Sequence, residues 1–161
     1  MRDLRQRLNR PHAAWHAHTR VPLRIGRLRR HSLYLLMATL LLSGVAWLIA
    51  HFGRGDDALP SPIEPWMVRV HGAAAMLTIY LSGTMLYGHM LNAWLRHRNR
   101  LSGLVLAGAL ALLAVSGWGL YYFGGELLRQ GTEYLHWALG LGTPPLLGWH
   151  VWRGRRERRG H

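Results

Sequence analysis

Two histidines that share one long apolar stretch, His136 and His150, are the residues of this sequence best placed to do chemistry. They are 14 residues apart in EYLHWALGLGTPPLLGWHVWR. On an α-helix this spacing puts them within ~40° of one face and ~21 Å apart along the axis, so one imidazole would lie toward each side of a bilayer. Polar groups at such depths are costly and usually functional, and imidazole is a standard axial ligand of haem iron. The spacing therefore predicts a membrane-spanning helix that binds two haems, one toward each side of the bilayer.

The elements that must position these side chains are four apolar stretches, each with the ~20 residues that a bilayer span needs. They cover roughly residues 32–52, 66–95, 101–124 and 133–152. A soluble domain of 161 residues could not bury four such segments. The sequence predicts an all-α integral membrane four-helix bundle. A basic arm over residues 1–30 precedes the membrane domain over 31–153, and a basic tail over 154–161 follows it.

The charge pattern predicts how this bundle is oriented. All 20 basic residues are arginines, and the formal net charge is +13. Most of them lie in the arm, in the turn at 96–100 and in the tail, whereas the other two connections hold most of the acidic residues. By the positive-inside rule, both termini face the cytoplasm. The arm is expected to contact anionic lipid headgroups, and no nucleic-acid-binding motif accompanies the charge.

The chain contains no cysteine. This excludes disulfides, cysteine-ligated iron–sulfur clusters and c-type haem attachment through C-x-x-C-H. A haem held by this chain would therefore be bound without covalent attachment, as b-type haem is.

The alternating helix directions sort the histidines into two cross-helix pairs. His31 and His150 are predicted at the cytoplasmic side, whereas His71 and His136 are predicted at the opposite side. His89 is the alternative to His31, because it also lies toward the cytoplasmic side. The preference for His31 rests on its place directly after two arginines and on helix rise, which puts His89 ~6 Å beyond the level of His150. Two imidazoles on one iron favour electron transfer over O₂ binding, which needs an open position.

The surroundings of these histidines fit a flat macrocycle. Gly44 and Gly117, each following a serine, are predicted to give a ring room to approach the backbone. Three arginines near the helix ends are expected to pair with haem propionates: Arg30, Arg69 and Arg153. Helices 1–2 and 3–4 also have the character of a weak internal repeat, since LLSGVAWLI matches AVSGWGLYY.

The pattern resembles the prokaryotic b561-type family of di-haem membrane cytochromes, which includes cytochrome b subunits of membrane hydrogenases and formate dehydrogenases as well as small four-helix proteins. The matching segments are RRHSLYLLMATLLLSG, VRVHGAAAM and LHWALGLGTPPLLGWH, within residues 24–153. The resemblance implies two haem b groups held by His31, His71, His136 and His150, in the inner membrane of a bacterium. Two features depart from the family pattern: Ser32 stands where a tryptophan is usual, and His89 is an additional histidine.

The resemblance implies electron exchange between a periplasmic or membrane redox partner and the quinone pool. One alternative is a self-sufficient quinone-linked oxidoreductase, similar to the superoxide oxidases among the compact relatives. A second alternative is a haem-free membrane assembly subunit. Quinone chemistry needs a nearby acid or base, and Glu133 and Tyr134 are the weak candidates for that role.

Overall fold

The structure is a computed structural model that describes residues 25–55, 59–97 and 99–159. These residues form four long helices: α1 over Arg27–Phe52, α2 over Ile63–Met85, α3 over Arg100–Tyr122 and α4 over Glu126–Arg159. A π-helical segment, Leu86–Leu91, and a short α-helix, Asn92–Leu95, continue α2 without a break in helical backbone. The described part of the chain is all-helical, as the sequence predicts. Most of the predicted N-terminal arm lies outside the described residues.

The helices are arranged as two antiparallel hairpins. α1 packs along α2, α3 packs along α4, and α1 also contacts α4. A short turn joins α2 to α3, in which His97 and Asn99 adopt positive φ angles of 55° and 49°. Asparagine tolerates this left-handed conformation better than most residues, because its short polar side chain can hydrogen-bond locally. Asn99 therefore suits the position that directly precedes α3.

The helix interfaces are built from small and hydroxyl-bearing side chains. Among the described residues, the buried apolar set is small: Ala74, Met85 and Ala109. The buried polar set is larger: Ser43, Glu64, Thr78, Ser102, Ser116, Thr132 and Thr143. The buried threonines satisfy their hydroxyls within their own helix, as Thr143 does by donating to the carbonyl of Leu139 at 2.7 Å. Small residues at interfaces let helix backbones approach closely, which is the packing mode of membrane helices.

The large apolar side chains point outward instead. Leu35, Leu42 and Ile49, at successive seven-residue steps of α1, are each more than two-thirds exposed. Two of the four helices, α1 and α3, are long and apolar enough to cross a membrane. In the most apolar stretches of these two helices, only 6% and 17% of the residues are buried. Four spans were predicted, and length and composition support two of them.

α2 and α4 are less apolar, and both carry the histidines singled out in the sequence. α4 begins seven residues before the predicted span and continues to Arg159, well beyond its predicted end. Its additional turns hold most of its charged residues, which lowers its average hydropathy. Along the chain, the two helices that are apolar enough to span a membrane, α1 and α3, alternate with the two that carry these histidines, α2 and α4.

Candidate functional site

The first histidine pair lies between the two hairpins. The imidazole of His71, on α2, faces that of His136, on α4, with ring centroids 6.1 Å apart and ring planes at 64°. Both side chains are partly buried. This is the pairing that sidedness and spacing predicted from the sequence, and it brings together one histidine from each hairpin.

A serine from the neighbouring helix of the same hairpin holds each of these rings. Ser43 Oγ lies 3.0 Å from His71 Nδ1, and Ser116 Oγ lies 2.9 Å from His136 Nδ1. The hydroxyl of Ser43 donates to the carbonyl of Thr39 at 2.7 Å, and that of Ser116 donates to the carbonyl of Leu113 at 3.2 Å. Each hydroxyl proton is therefore used, so the oxygen accepts from Nδ1–H of the histidine. This assigns both rings the Nδ1–H tautomer, which leaves the Nε2 lone pair available for a metal.

The glycines after these serines make room for the imidazoles. A Cβ atom on Gly44 would lie 3.4 Å from Cε1 of His71, and one on Gly117 would lie 3.3 Å from Cε1 of His136. The sequence predicts that these glycines leave room for a macrocycle to approach the backbone. The structure shows that each lies against the histidine imidazole. Each Ser-Gly pair thus acts on one histidine, the serine through its hydroxyl and the glycine by leaving space.

The second pair joins His89 to His150, with ring centroids 6.2 Å apart and ring planes at 89°. The sequence analysis preferred His31 as the partner of His150. The structure instead places His31 on an exposed part of α1, near its start at Arg27, and brings His89 to His150. In the structure the histidine beside His150 is thus His89, the alternative, and which of the two would ligate a metal stays a prediction.

The π-helical segment Leu86–Leu91 is one reason why the rise of a straight α-helix misplaces His89. The estimate assumed a straight α-helix from His71 to His89, which carried His89 past the level of His150. A π-helix closes i→i+5 hydrogen bonds, so it fits more residues into a turn and advances less per residue. It also changes the face on which the following side chains lie. Single π turns of this kind occur often at functional sites.

A third Ser-Gly pair, which the sequence analysis did not single out, holds His150. Ser102 Oγ lies 3.0 Å from His150 Nδ1 and donates its own proton to Asn99 Oδ1. Ser102 is fully buried, and a Cβ on Gly103 would lie 3.6 Å from His150 Cε1. The signal was present in the sequence, because α3 contains the pair Ser-Gly twice, at residues 102–103 and 116–117. Their spacing of 14 residues equals that of His136 and His150.

Asn99 adds a further contact to His150 from the turn before α3. Its amide nitrogen donates to the His150 carbonyl at 3.0 Å and lies 3.3 Å from His150 Nδ1. Because Nδ1–H of His150 donates to Ser102, the Asn99 amide donates to the His150 carbonyl and not to Nδ1. A Cβ on Gly154 would lie 3.5 Å from this amide nitrogen, so the glycine leaves it room. The left-handed Asn99 thereby connects the turn between α2 and α3 to the second pair.

The spacing of both pairs suits one metal atom held between two rings. A metal–imidazole bond is about 2 Å, and the ring centre lies about 1 Å beyond the nitrogen, so two trans imidazoles have centroids about 6 Å apart. The observed centroid distances are 6.1 Å and 6.2 Å. Among the described residues, no group of three or more His, Cys, Asp or Glu side chains is arranged to hold a bare metal ion. A pair of imidazoles could hold only a metal that brings its other ligands with it.

The predicted arginines and proton-handling residues are placed outside these pairs. Arg69 lies over the Trp66 ring at 5.1 Å, Arg153 lies over the Trp149 ring at 5.6 Å, and Arg30 is exposed near the start of α1. Glu133 forms an i,i+4 ion pair with Arg129 at 3.4 Å on the surface of α4. Tyr134 is 58% exposed and contacts the edge of Trp137.

Replacing Ser116 with alanine is expected to weaken metal binding at the first pair while leaving the fold intact. The change leaves Nδ1–H of His136 without its acceptor, and loss of such an outer hydrogen bond costs about 10–100-fold in metal affinity. Haem retention during dilution in detergent measures the effect. Thr143→Val is the matched control, since it removes a buried hydroxyl that bonds only the helix backbone. Equal haem retention by both variants would mean that the serine does not position the ligand.

These two pairs are the candidate functional site of the described structure. In each pair the ring centroids lie about 6 Å apart, and serines hydrogen-bond three of the four imidazoles. Comparison of the chain with protein-family models, with curated proteins and with solved structures finds no match.

Proposed function

We propose that this protein is a di-haem b-type membrane cytochrome that transfers electrons between a redox partner and the quinone pool. The observation that carries the proposal is the pairing of His71 with His136 and of His89 with His150 at 6.1 Å and 6.2 Å. Two neutral histidines would serve as the protein's ligands to an electron-transferring b-type haem. The absence of cysteine from the chain agrees with haem that is not covalently attached.

The outward-facing apolar side chains support a membrane location. α1 and α3 present them along most of their length, and buried small and hydroxyl residues form the interfaces. In this proposal α2 and α4 cross the membrane with them, since each is paired along its length with one of the apolar helices. Arginine-rich segments at both ends of the chain and at the α2–α3 turn then face the cytoplasm of a bacterial cell. Tryptophans stacked under arginines, such as Trp152 under Arg156, lie at the interface.

The residues of the chain hold and tune the two haems. When bound, each haem supplies one-electron chemistry by alternating between its ferric and ferrous states. The serines hold the imidazoles in the tautomer whose Nε2 lone pair would bind the iron, and the hydrogen bond at Nδ1 raises the basicity of the ligand. Along α4, His136 and His150 are separated by about 21 Å of helix rise, so one site serves each side of the membrane. Electrons therefore cross the bilayer by passing between two fixed sites.

The test is reduction of the purified chain by a soluble quinol, followed by reduced-minus-oxidised absorption spectroscopy. We expect quinol to reduce both haems, with α-bands typical of b-type haem, and an added oxidant of the partner class to reoxidise them. Haems that dithionite reduces and that quinol leaves oxidised would contradict the quinone part of the proposal. Sustained turnover with quinone and superoxide alone would instead favour the self-sufficient oxidoreductase.

A further inference from the structure

Arginine and tryptophan side chains are stacked in three pairs at the end of the bundle that carries His89 and His150. The distances from the guanidinium carbon to the indole centroid are 4.8 Å for Arg100 over Trp94, 5.6 Å for Arg153 over Trp149 and 5.3 Å for Arg156 over Trp152. We refer to these six residues as the arginine–tryptophan patch. At the opposite end, the part of the chain that the structure describes contains one such pair, Arg69 over Trp66.

A contact between the α2–α3 turn and α4 brings the elements of this patch together. Asn99, which directly precedes Arg100, donates from its amide to the carbonyl of His150 at 3.0 Å. A Cβ on Gly154, which directly follows Arg153, would lie 3.5 Å from the Asn99 amide nitrogen. The arginine at the start of α3 and the arginine in the last turns of α4 are therefore each one residue away from the same contact.

The guanidinium groups of the patch retain N–H donors for an anion. Arg100 uses its Nε to donate to the Trp94 carbonyl at 2.8 Å, and this bond leaves the N–H groups at the end of the side chain. Arg156 lies three residues after Arg153, a spacing that makes the two side chains neighbours on a helix surface. A guanidinium whose face lies over an indole still presents N–H groups along its edge, and these groups bind phosphate in a bidentate manner.

The sequence around the patch has a large excess of positive charge. Residues 96–100 and 153–159 contain eight arginines and one acidic residue, Glu157, which directly follows Arg156 and offsets part of that charge. A cluster of this size attracts anions, and beside a bilayer the nearest anions are the headgroups of acidic lipids. The charge therefore favours a negatively charged ligand and does not by itself identify it.

Exposed apolar side chains beside these arginines identify the kind of anion. Leu95 is 72% exposed, Leu101 is 59% exposed and Trp152 is 54% exposed. Free phosphate or a nucleic-acid backbone would cover the guanidinium groups and leave the two leucines in water. A phospholipid covers both, because it joins a phosphate to acyl chains. Tryptophan is also the residue that membrane proteins place at the level of the headgroups.

We propose that the arginine–tryptophan patch binds the phosphate of an anionic phospholipid, and that the bound lipid stabilises the contact of Asn99 with His150. The phosphate oxygens accept from the guanidinium groups, and the acyl chains lie along the exposed leucines on either side of the turn. The proposal rests on the membrane location in the proposed function and does not depend on haem binding. It assigns the α2–α3 turn and the end of α4 a lipid ligand in common.

The experiment measures lipid binding by native mass spectrometry of the detergent-purified, full-length chain. Phosphatidylglycerol and phosphatidylcholine with the same acyl chains are the two probes. The patch variant carries three substitutions: Arg100→Gln, Arg153→Gln and Arg156→Gln. The matched control removes the same charge from three exposed positions at the start of α1: Arg27→Gln, Arg29→Gln and Arg30→Gln. Circular dichroism checks that each variant is folded and gives its unfolding temperature with and without lipid.

We expect the wild type to bind phosphatidylglycerol more tightly than phosphatidylcholine. The patch variant should bind phosphatidylglycerol on the order of 10²-fold more weakly, from about fivefold for each arginine removed, and should bind phosphatidylcholine as before. The control variant should retain the wild-type preference. Phosphatidylglycerol should raise the unfolding temperature of the wild type and of the control, and it should leave that of the patch variant unchanged.

Several results would overturn the assignment. Equal binding of the two lipids by the wild type would exclude a phosphate-selective site, and equal losses in the patch and control variants would indicate diffuse attraction. Displacement of the lipid by glycerol phosphate or by a DNA oligonucleotide would assign the patch to a soluble phosphate or to nucleic acid. If the patch variant does not fold, Arg153→Gln with Arg156→Gln leaves the Arg100 pair in place and should still weaken binding of phosphatidylglycerol.

Failure of this proposal differs from failure of the proposed function. A wild-type chain without haem would refute the cytochrome and leave the lipid measurement as it is. A chain recovered without membranes or detergent would refute the membrane location itself. Equal binding of both lipids by a chain extracted from membranes would refute the lipid site alone.

Discussion

His136→Leu is expected to remove one of the two haems and to leave the other in place. The His71–His136 and His89–His150 pairs lie at separate levels of the same two helices, about 21 Å apart by the rise of α4. Ser116 supports His136, and Ser102 supports His150, so the two sites depend on different hydrogen bonds. Haem content should fall from two per chain to one, as measured by the pyridine-haemochrome method on the purified variant.

His71→Leu should produce the same spectrum as His136→Leu, since both residues hold the same iron. The double variant should retain as much haem as either single variant, because the second change removes a ligand from a site that is already empty. If the two single variants lose spectrally different haems, the pairing across the hairpins is wrong.

His89→Ala should likewise remove the second haem, whereas His31→Ala should leave the spectrum unchanged. His89 faces His150 at 6.2 Å from within the π-helical segment, and His31 is exposed on α1. The two variants form a matched comparison, since each removes one imidazole from the part of its hairpin arm farther from the connection between α1 and α2. Reduced-minus-oxidised spectra and haem content distinguish them.

The opposite result, with loss of haem in His31→Ala and an unchanged spectrum in His89→Ala, would restore the pairing predicted from the sequence. It would also mean that the π-helical segment has no part in ligation. Loss of one haem in both variants would indicate that α1 near His31 supports the site without contributing a ligand, and a His31→Gln variant would then retain haem.

Hydropathy and spacing predicted the helices well and their ends less well. All four predicted stretches are helical, and the turn between α2 and α3 lies where the arginines 96–100 indicated. α1 begins five residues before the predicted start, and α4 extends beyond both predicted ends. Hydropathy marks the apolar part of a helix, but backbone hydrogen bonds continue into polar turns where water or headgroups satisfy the side chains.

Only part of the candidate site could be predicted from the sequence, and the difference has a physical cause. His71 and His136 could be paired because sidedness and helix rise agree for them. His89 could not, because a π-helical segment leaves no hydropathy signal and changes both rise and face. Asn99 was missed because its role depends on a contact between segments, namely with His150. In the sequence, it lies in what reads as an ordinary connecting turn.

The haem content of the purified full-length chain tests most directly whether the two histidine pairs bind haem. A pyridine-haemochrome assay calibrated against amino-acid analysis gives both the haem type and the number per chain. The two histidine pairs predict two b-type haems. A ratio near one, a c-type spectrum or a colourless protein would contradict the assignment of the pairs as haem ligands.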